Sequence, residues 1–510
     1  MSFFLSLLPL LLIIALMIGL RWGAARSGGA GYLLTLLLAV VFFGAQLELL
    51  AYAHMKALLL AFDVLLIIWA AFLLFKVADE AGAIRAIGEI LPNLTADRTM
   101  QGLIIGWVFA SFLQGIGGFG VPVAVIAPIL IGLGFPPLQA VILPSIGHGW
   151  AVTFGSLGSS FNALLATTGL ETDQLAGPVA AFLGISCVIT GFMMVHASGS
   201  FRRIGKYLFP VMAISLAMAA GQYLIATAGL WNIAAFAGST AGLAVAIPLG
   251  LSRNESDPER VKPDWRRLFK ALSAYIILVI LILAIQFLPG VKPFLNQASI
   301  KIAFPEIVTT QGFVTPAGFG RTIPLLTHAG SVLLYASIIG YLIYKQAGQY
   351  QPGAGRKILM ETSKKMTSSS ISILSMVSLS VIMEHVGMTE VLAKGLSSGI
   401  QSLFPLVSPW IGAIGAFMTG SNTNSNVVFG LLQLQTAQLL DLPVAVILAG
   451  QTAGAALASV LAPTKVVVGA STAGMAGKEG LVMRKLISYT LILVFSISLL
   501  TQIGVWISGG

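Results

Sequence analysis

Apolar runs of roughly 18 residues or more recur along the whole chain, each long enough to cross the hydrocarbon core of a bilayer as a helix. A spanning segment must satisfy its own backbone hydrogen bonds, which a helix does. Only 9% of the residues are charged, against about a quarter in a soluble protein. The sequence therefore predicts an all-α polytopic membrane protein, with spans near residues 2–20, 31–50, 56–75, 176–196, 208–228, 231–250, 271–289, 326–345, 368–386 and 487–507.

Two of the apolar regions are interrupted by glycine, proline and polar residues. The first, residues 114–158, begins QGIGGFGVP, and the second, residues 419–465, begins TGSNTNSN. Irregular backbone at membrane depth is tolerated only against protein or a water-filled cavity, and paired interruptions of this kind indicate a transporter binding site. The second region aligns on the first after a shift of 305 (454 minus 149), which places Gly454 on Gly149.

The basic residues orient these regions, because cytoplasmic loops attract Lys and Arg. Residues 2–20 have no basic residue before them, which predicts an uncleaved first span with an outer N-terminus. Arg98 then lies inside and Glu171 outside, so the first interrupted region runs outward. The second region runs inward, from residues 388–400 outside to Lys478 inside. Similar regions of opposite orientation predict an inverted-repeat transporter with broken or re-entrant helices.

The same reasoning divides the chain. Residues 1–250 form a first transmembrane half with the broken segment 114–158, and residues 271–510 form a second with the broken segment 419–465. Residues 251–270 form a basic cytoplasmic linker between them. The proline-containing stretch 290–325 is either an external loop or a partly buried segment, and the sequence does not separate the two.

The breaks suit a small anion. Helix N-termini present unpaired N–H groups and a partial positive charge, and the hydroxyls and carboxamides of residues 421–426 add side-chain donors. The alternative is that these side chains only cap helices. His148, whose unperturbed pKa is about 6.5, is a candidate for proton coupling or else a packing residue. Lys465 either balances a substrate carboxylate or extends to the membrane interface.

Several motifs resemble those of the lactate permease family. Residues 115–127, 132–138 and 152–158 are similar to its first signature, residues 419–426 to its second, and residues 474–480 to a third. Their order and spacing fit nearly the whole chain. The resemblance implies an elevator-type fold and proton symport of lactate, glycolate and related 2-hydroxymonocarboxylates across the cytoplasmic (inner) membrane.

Some positions differ from the family pattern. Gln114 and Asn422 stand where the family usually has Glu and Asp, and His148 and Gln451 stand where it has Asn. An amide cannot carry a proton, so transport of a carboxylate is better supported than the family's usual coupling residues. The residues assigned to substrate binding are Gln114, Gly115, Gly117, Gly118, Gly120, Ser421, Asn422, Thr423, Asn424, Ser425, Asn426, Gln451 and Lys465.

The predicted function is therefore uptake of a small monocarboxylate with a cation, a proton first, in a multi-pass protein that functions alone or as a homo-oligomer. The alternative is a sodium-coupled or uncoupled carrier of another organic anion; a channel fits less well, because the polar breaks are confined to two segments. An enzyme is not predicted, since the five His and one Cys show no nucleophile or metal pattern. No metal, cofactor or nucleic-acid partner is predicted, and the net charge of +10 reflects basic cytoplasmic loops.

Overall fold

A computed structural model describes residues 2–20, 22–90, 95–118, 120–199, 204–252, 265–320, 322–476 and 478–509. The helices of the first half are α1 (Ser2–Ile18), α2 (Ala24–Phe42), α3 (Leu47–Glu80), α4 (Ala83–Ile90), α5 (Arg98–Gln101), α6 (Ala110–Ile116), α7 (Val121–Gly132), α8 (Pro137–Gly147), α9 (Gly155–Thr168), α10 (Thr172–Ala197), α11 (Ile204–Ile225) and α12 (Ala234–Ser252). A π-helical stretch, Gly102–Phe109, joins α5 to α6 in one continuous span, and shorter 3₁₀ or π turns cover Gly149–Ala151, Ala226–Leu230 and Trp231–Ile233.

The helices of the second half are α13 (Trp265–Ala271), α14 (Ser273–Phe287), α15 (Val291–Leu295), α16 (Ala329–Gln346), α17 (Ala354–His385), α18 (Met388–Ile400), α19 (Phe404–Thr419), α20 (Asn422–Leu439), α21 (Val444–Ala458), α22 (Pro463–Thr472) and α23 (Glu479–Ile507). Two 3₁₀ turns cover Gln401–Leu403 and Ser459–Leu461. Of the predicted linker 251–270, residues 253–264 lie outside the described residues, and α13 covers the end of it.

The prediction of a polytopic helical membrane protein is confirmed. Within the described residues, nine helices are long and apolar enough to cross a membrane, and the pair Pro137–Ala151 and Gly155–Thr168 is bent by 47°. The predicted span near 31–50 is misplaced, because α2 begins at Ala24 and ends before Gly44. Gly44 has a φ of +69°, which a glycine adopts at little cost and which ends the helix there.

The two halves repeat the same series of helices. After a shift of 305, α2 matches α16 and α4 matches α18 at their first residues (329 minus 24 and 388 minus 83). The equivalent helices α3 and α17 pack against each other, as α2 does against α17 and α16 against α3. This exchange of partners is what a two-fold relation between the repeats requires.

Helices α3 and α17 also show that the repeats are inverted. At one end of the pair, Lys357 at the start of α17 contacts Glu80 at the end of α3, with 2.8 Å between Nζ and Oε2. At the other end, Lys56 near the start of α3 lies 2.9 Å from His385 at the end of α17. Equivalent helices of spanning length are therefore antiparallel, which confirms the inverted-repeat prediction.

The stretch 290–325 forms an extended hairpin that packs on helix ends. Its strands are β1 (Ser299–Ile300), β2 (Ala303–Phe304), β3 (Ile307–Val308), β4 (Val314–Thr315), β5 (Gly318–Phe319) and β6 (Ile323–Pro324). They pair antiparallel as β1 with β6, β2 with β5 and β3 with β4, so the ladders are nested around one tip. The tip bonds to the end of α2 through Thr310 N–H and Gly44 O at 3.0 Å, and Thr315 contacts the carbonyl of His385. The segment is therefore a covering hairpin, and its described residues, 290–320 and 322–325, include no spanning helix.

Candidate functional site

The helix breaks place three helix N-termini together. Gly120, with a φ of +83°, precedes α7, and Ser421 precedes α20, where its hydroxyl accepts a hydrogen bond from Asn424 N–H at 3.2 Å. Pro463 at the first turn of α22 starts the third helix without needing an N–H donor. Each N-terminus presents backbone N–H groups and the positive end of a helix dipole, so their convergence favours an anion.

These N-termini line one cavity of about 290 Å³ between the two halves. Four of the predicted residues, Gly120, Ser421, Asn424 and Lys465, lie on its wall. The rest of the lining is mainly small and polar, and includes Gly23, Lys365, Ser368, Ser369, Ser372, Gly420 and Thr464. The cavity thus brings the two broken segments together, near Lys365, on the side that the basic residues predict to be cytoplasmic.

Two side chains give this cavity its chemical character. Lys465 is half-buried and donates to the Ser459 hydroxyl at 3.0 Å, which leaves hydrogens of its ammonium for a ligand. Asn424 is buried and donates through Nδ2 to the Ser372 hydroxyl at 2.9 Å, while its Oδ1 has no partner among the described residues. The cavity therefore has on its wall a cation that suits a carboxylate, and it also borders Asn424, whose buried oxygen has no partner among the described residues.

The other carboxamides of the second segment face away from the cavity. Asn422 donates to the Thr153 hydroxyl at 3.0 Å, and Asn426 donates to the Ser160 carbonyl and the Thr452 hydroxyl, both at 2.9 Å. The remaining predicted residues of this segment join the same interior network: Thr423 pairs with Ser160, Ser425 donates to Gly412 O, and Gln451 contacts Ser425 and Gln433. This network joins α20 to α9 and α21.

The first segment contributes backbone packing. Gly115 lies against the backbone of Phe236, Gly117 against the Phe75 ring, and Gly118, with a φ of +59°, against the Ser156 hydroxyl. Gln114 is 3% exposed, and none of these four residues lines the cavity. Their assigned role in substrate binding stays a prediction, but their contacts in this conformation are with protein.

His148 is fully buried, and its Nδ1 lies 2.6 Å from the carbonyl of Pro144 one turn earlier. Its Nε2 has no hydrogen-bond partner among the described residues. The carbonyl makes Nδ1 the protonated nitrogen of a neutral ring. Its role as a proton carrier stays a prediction.

Sequence reasoning missed a buried acid. Asp63 lies in the middle of α3 and is 2% exposed, with His328 Nε2 at 2.8 Å from Oδ1 and Asn162 Nδ2 at 2.9 Å from Oδ2. A signal for it existed, because a lone carboxylate inside an apolar run is rare and commonly functional. Its partners come from distant parts of the chain, and no local pattern indicates them.

These features define a multi-pass membrane protein built from inverted repeats around an internal, anion-suited cavity. The chain belongs to the L-lactate permease family, which it matches over residues 2–508. That finding confirms the resemblance seen in the sequence.

Individual relatives agree with the family match. The chain is 28% identical to an L-lactate permease of Streptococcus iniae, over 86% of this chain and 91% of that protein. It is 25% identical to glycolate permease GlcA of Escherichia coli strain K12, over 100% and 97% of the two chains. Among solved structures it is similar to the Alcanivorax borkumensis YdaH transporter, with a TM-score of 0.49 and 14% identity over 87% and 85% of the two chains.

Proposed function

We propose that this protein takes up a small 2-hydroxymonocarboxylate, such as lactate or glycolate, across the cytoplasmic (inner) membrane in symport with protons. The observation that carries the proposal is the convergence of three helix N-termini and the Lys465 ammonium on one cavity. Permeases for lactate and glycolate among the relatives support the substrate class.

The cavity offers a distinct partner to each part of such a substrate. The carboxylate would lie between Lys465 and the N-termini at Gly120 and Ser421, where charge-assisted hydrogen bonds are strongest. The 2-hydroxyl would donate to Asn424 Oδ1. A substrate without that hydroxyl leaves this buried oxygen unpaired, which disfavours acetate relative to lactate.

Transport requires the cavity to open alternately to the two sides. We propose an elevator-type movement in which the broken segments, with α20 and α9, move against the pair α3 and α17. During this movement α9 would slide along α3, and the hydrogen bond from Asn162 to Asp63 lies at that contact.

A sodium-coupled carrier is the second candidate, and one observation favours it. The side-chain oxygens of Gln114, Asn422, Asn424 and Asn426 are buried and without a hydrogen-bond partner among the described residues. Neutral oxygens of this kind, with nearby carbonyls, suit Na⁺ in transporters with broken helices.

Counterflow in proteoliposomes tests the proposal. Labelled lactate, glycolate and acetate are supplied outside vesicles loaded with unlabelled lactate, with and without a pH gradient, in sodium or choline buffer. We expect counterflow of lactate and glycolate above acetate, and accumulation driven by an acidic exterior in choline buffer. Counterflow of none of the acids contradicts the proposed function, and accumulation that requires sodium favours the second candidate.

Lys465 provides a test of the binding arrangement. Lys465→Gln removes the cation, and loss of a hydrogen bond to a charged ligand is expected to weaken lactate binding by roughly ten- to a hundredfold. Lys465→Arg keeps the charge and serves as the matched control. Equal affinity of Lys465→Gln and the unaltered protein would show that the substrate carboxylate lies elsewhere.

A further inference from the structure

The substrate cavity has more positive charge on its wall than one carboxylate needs. Besides Lys465 at the start of α22, a second lysine, Lys365 of α17, lines it, and no Asp or Glu is among the described lining residues. Glu361, one turn before Lys365, contacts Lys76 of α3 instead, at 2.7 Å. Two lysines without a carboxylate on the same wall favour a ligand that carries two negative charges.

Lys365 is the first residue of a polar stripe on α17. Four lining residues recur at intervals of three and four positions and therefore share one face of the helix: Lys365, Ser368, Ser369 and Ser372. Lys365 and Ser368 are exposed, whereas Ser372 is 5% exposed. The stripe covers about 10 Å at 1.5 Å per residue. It thus leads from the mouth of the cavity to its buried end, with Lys365 at the mouth.

The buried end of the stripe is next to the place proposed for the 2-hydroxyl group. The Ser372 hydroxyl accepts a hydrogen bond from Asn424 Nδ2 at 2.9 Å. Asn424 Oδ1 is buried and has no partner among the described residues, and Asn424 lines the same cavity. A ligand held at this end by its first carboxylate and its hydroxyl therefore has Ser369, Ser368 and then Lys365 along its path toward the mouth.

A fourth helix N-terminus lies beside the stripe. Helix α2 begins at Ala24, which lines the cavity, and it has no side-chain cap. A Cβ on Gly28 would lie 3.4 Å from the Cβ of Ser375. One on Gly31 would lie 3.1 Å from a methyl of Leu379, so α2 and α17 run parallel. Ala24 is one turn before Gly28, and the unpaired N–H groups of α2 are therefore level with the serines of the stripe.

The cavity has room for a longer ligand than lactate. Its volume of about 290 Å³ is about ten times the roughly 30 Å³ that one water molecule occupies in the liquid. A three-carbon acid held at Lys465 and Asn424 leaves the part toward Lys365 unfilled. The flexible four-carbon stem of Lys365 lets its ammonium reach a second anionic group there.

We propose that Lys365, Ser368, Ser369 and the start of α2 form a second anion subsite, through which the cavity also binds 2-hydroxydicarboxylates such as malate. The inference rests on the proposed function, because the first carboxylate and the hydroxyl take the positions described for lactate. The distal carboxylate contacts the ammonium of Lys365, the serine hydroxyls and the N–H groups of α2. A dicarboxylate that enters from the side predicted to be cytoplasmic then competes with lactate for the cavity.

The expected contribution of Lys365 is modest, because its side chain is exposed. An ion pair between exposed groups changes an affinity by about two- to fivefold, and salt screens it. The contribution of Lys465, which is half-buried, is larger and is shared by monocarboxylates and dicarboxylates. The ratio of malate affinity to lactate affinity therefore isolates the second subsite.

Displacement of labelled lactate from the purified protein in detergent tests the proposal, since both faces of the protein are then accessible. Unlabelled lactate, malate and succinate are compared as competitors. We expect malate to displace lactate, and succinate, which lacks the hydroxyl, to be the weaker of the two dicarboxylates. Lys365→Gln should lower the ratio of malate affinity to lactate affinity by about two- to fivefold. Lys365→Arg keeps the charge and should retain most of that ratio.

Lys364 provides the matched control. It is exposed and adjacent to Lys365 on the same helix, but it is not among the residues that line the cavity. Lys364→Gln removes the same charge from the same end of α17 and should leave the affinity ratio unchanged. Added salt should lower the ratio in the unaltered protein more than in Lys365→Gln, because the exposed contact is the one that salt screens.

The outcomes separate this inference from the proposed function. Lactate binding without displacement by malate would overturn the second subsite and leave the proposed function supported. An affinity ratio that is equal in Lys365→Gln and the unaltered protein, or lowered equally by Lys364→Gln, would overturn the role of Lys365 and leave it with the basic residues that set topology. Absence of lactate binding to the unaltered protein would overturn the proposed function and this inference together.

Discussion

The two broken segments occupy equivalent places in the repeats, but they are built with different chemistry. The second places buried carboxamides and hydroxyls around α20, with a serine cap at its start. The first depends on its backbone, and Ser156 and Leu157 have φ values of +48° and +53° where α9 begins. Left-handed conformations of non-glycine residues cost about 1–3 kcal/mol each and persist only when their surroundings impose them.

This difference shows how an inverted repeat can divide its functions. The first segment supplies tightly packed backbone and the acceptor Thr153, and helix α9, which continues beyond it, supplies the acceptor Ser160. The second segment supplies the donors Asn422 and Asn426 that bind them. In this way two segments with similar backbone courses form one cavity whose two walls differ in their chemistry. A symmetric backbone therefore produces an asymmetric binding site, which a small substrate with different ends requires.

Labelling of the two halves from either side of the membrane tests their inverted relation most directly. Cys187 is the single cysteine and is buried, so a background without it is simple to prepare. In that background Asp173→Cys and Lys394→Cys should react only with an impermeant thiol reagent outside, and Lys357→Cys only after permeabilisation. Reaction of positions 173 and 394 from opposite sides would contradict the inverted arrangement in the membrane.

The next largest effect is expected at a pair of equivalent glycines. A Cβ on Gly454 would lie 2.2 Å from the carbonyl oxygen of Pro409, whereas one on Gly149 would lie 3.4 Å from a methyl of Val460. We expect Gly454→Ala to destabilise the fold by about 1–3 kcal/mol, as overpacking does. Gly149→Ala should be nearly neutral. Melting of both variants in detergent, followed by size-exclusion chromatography, measures the difference, and equal melting temperatures would show that packing at this position is symmetric.

A smaller and more specific effect should separate the asparagines of α20. Asn424→Ala and Asn426→Ala should each weaken lactate uptake by roughly ten- to a hundredfold, Asn424→Ala through a lost ligand contact and Asn426→Ala through its bonds to α9 and α21. Asn426→Ala removes two buried hydrogen bonds and should lower the melting temperature more than Asn424→Ala, which removes one, to Ser372. Substrate affinity and melting are measured together, with Gln286→Ala on α14 as a carboxamide control outside the cavity. Normal uptake by both variants would return these residues to a capping and packing role.

The smallest effect concerns how the first interrupted span begins. Asp97 caps α5 by accepting from Thr99 and Met100 N–H, whereas the equivalent α19 begins without a side-chain cap. Burial raises the pKa of Asp97. Hydrogen bonds from Met100 and Tyr207 and the charge of Lys206 lower it by more, so the net pKa lies below the usual value. The stabilisation is therefore complete above pH about 4, and it is lost as the pH falls through the lowered pKa.

Asp97→Ala should accordingly cost about 0.5–2 kcal/mol of stability near neutral pH. Asp97→Asn keeps the cap without the charge and should reduce the sensitivity of melting to acid. Melting temperatures measured from about pH 3 to about pH 7 would test this, because that interval includes the pH at which carboxylates titrate. A loss of stability on acidification that is the same in Asp97→Asn and the unaltered protein would exclude this carboxylate as its source.

Much of the site's outline could be predicted from residue pattern. Glycine and proline at 115–122 and 420 mark the breaks because they interrupt apolar segments that would otherwise continue as helices. Helical periodicity also predicts that the asparagines divide between two faces of α20. Asn422 and Asn426 are four residues apart and share one face, and Asn424 lies on the opposite face. Treating 421–426 as one binding group overlooked this periodicity.

The residue pattern was enough to predict that the chain crosses the membrane many times, that two similar segments are broken, and that they run in opposite directions. Composition, glycine and proline placement and the basic loops carry that information, because each acts through local physical preferences. Tertiary structure alone decided which polar groups meet. Lys465 shares a cavity with Gly120, and His328 contacts Asp63 across 265 residues of chain. Such contacts depend on how helices from both repeats pack, and packing is not a property of any single segment.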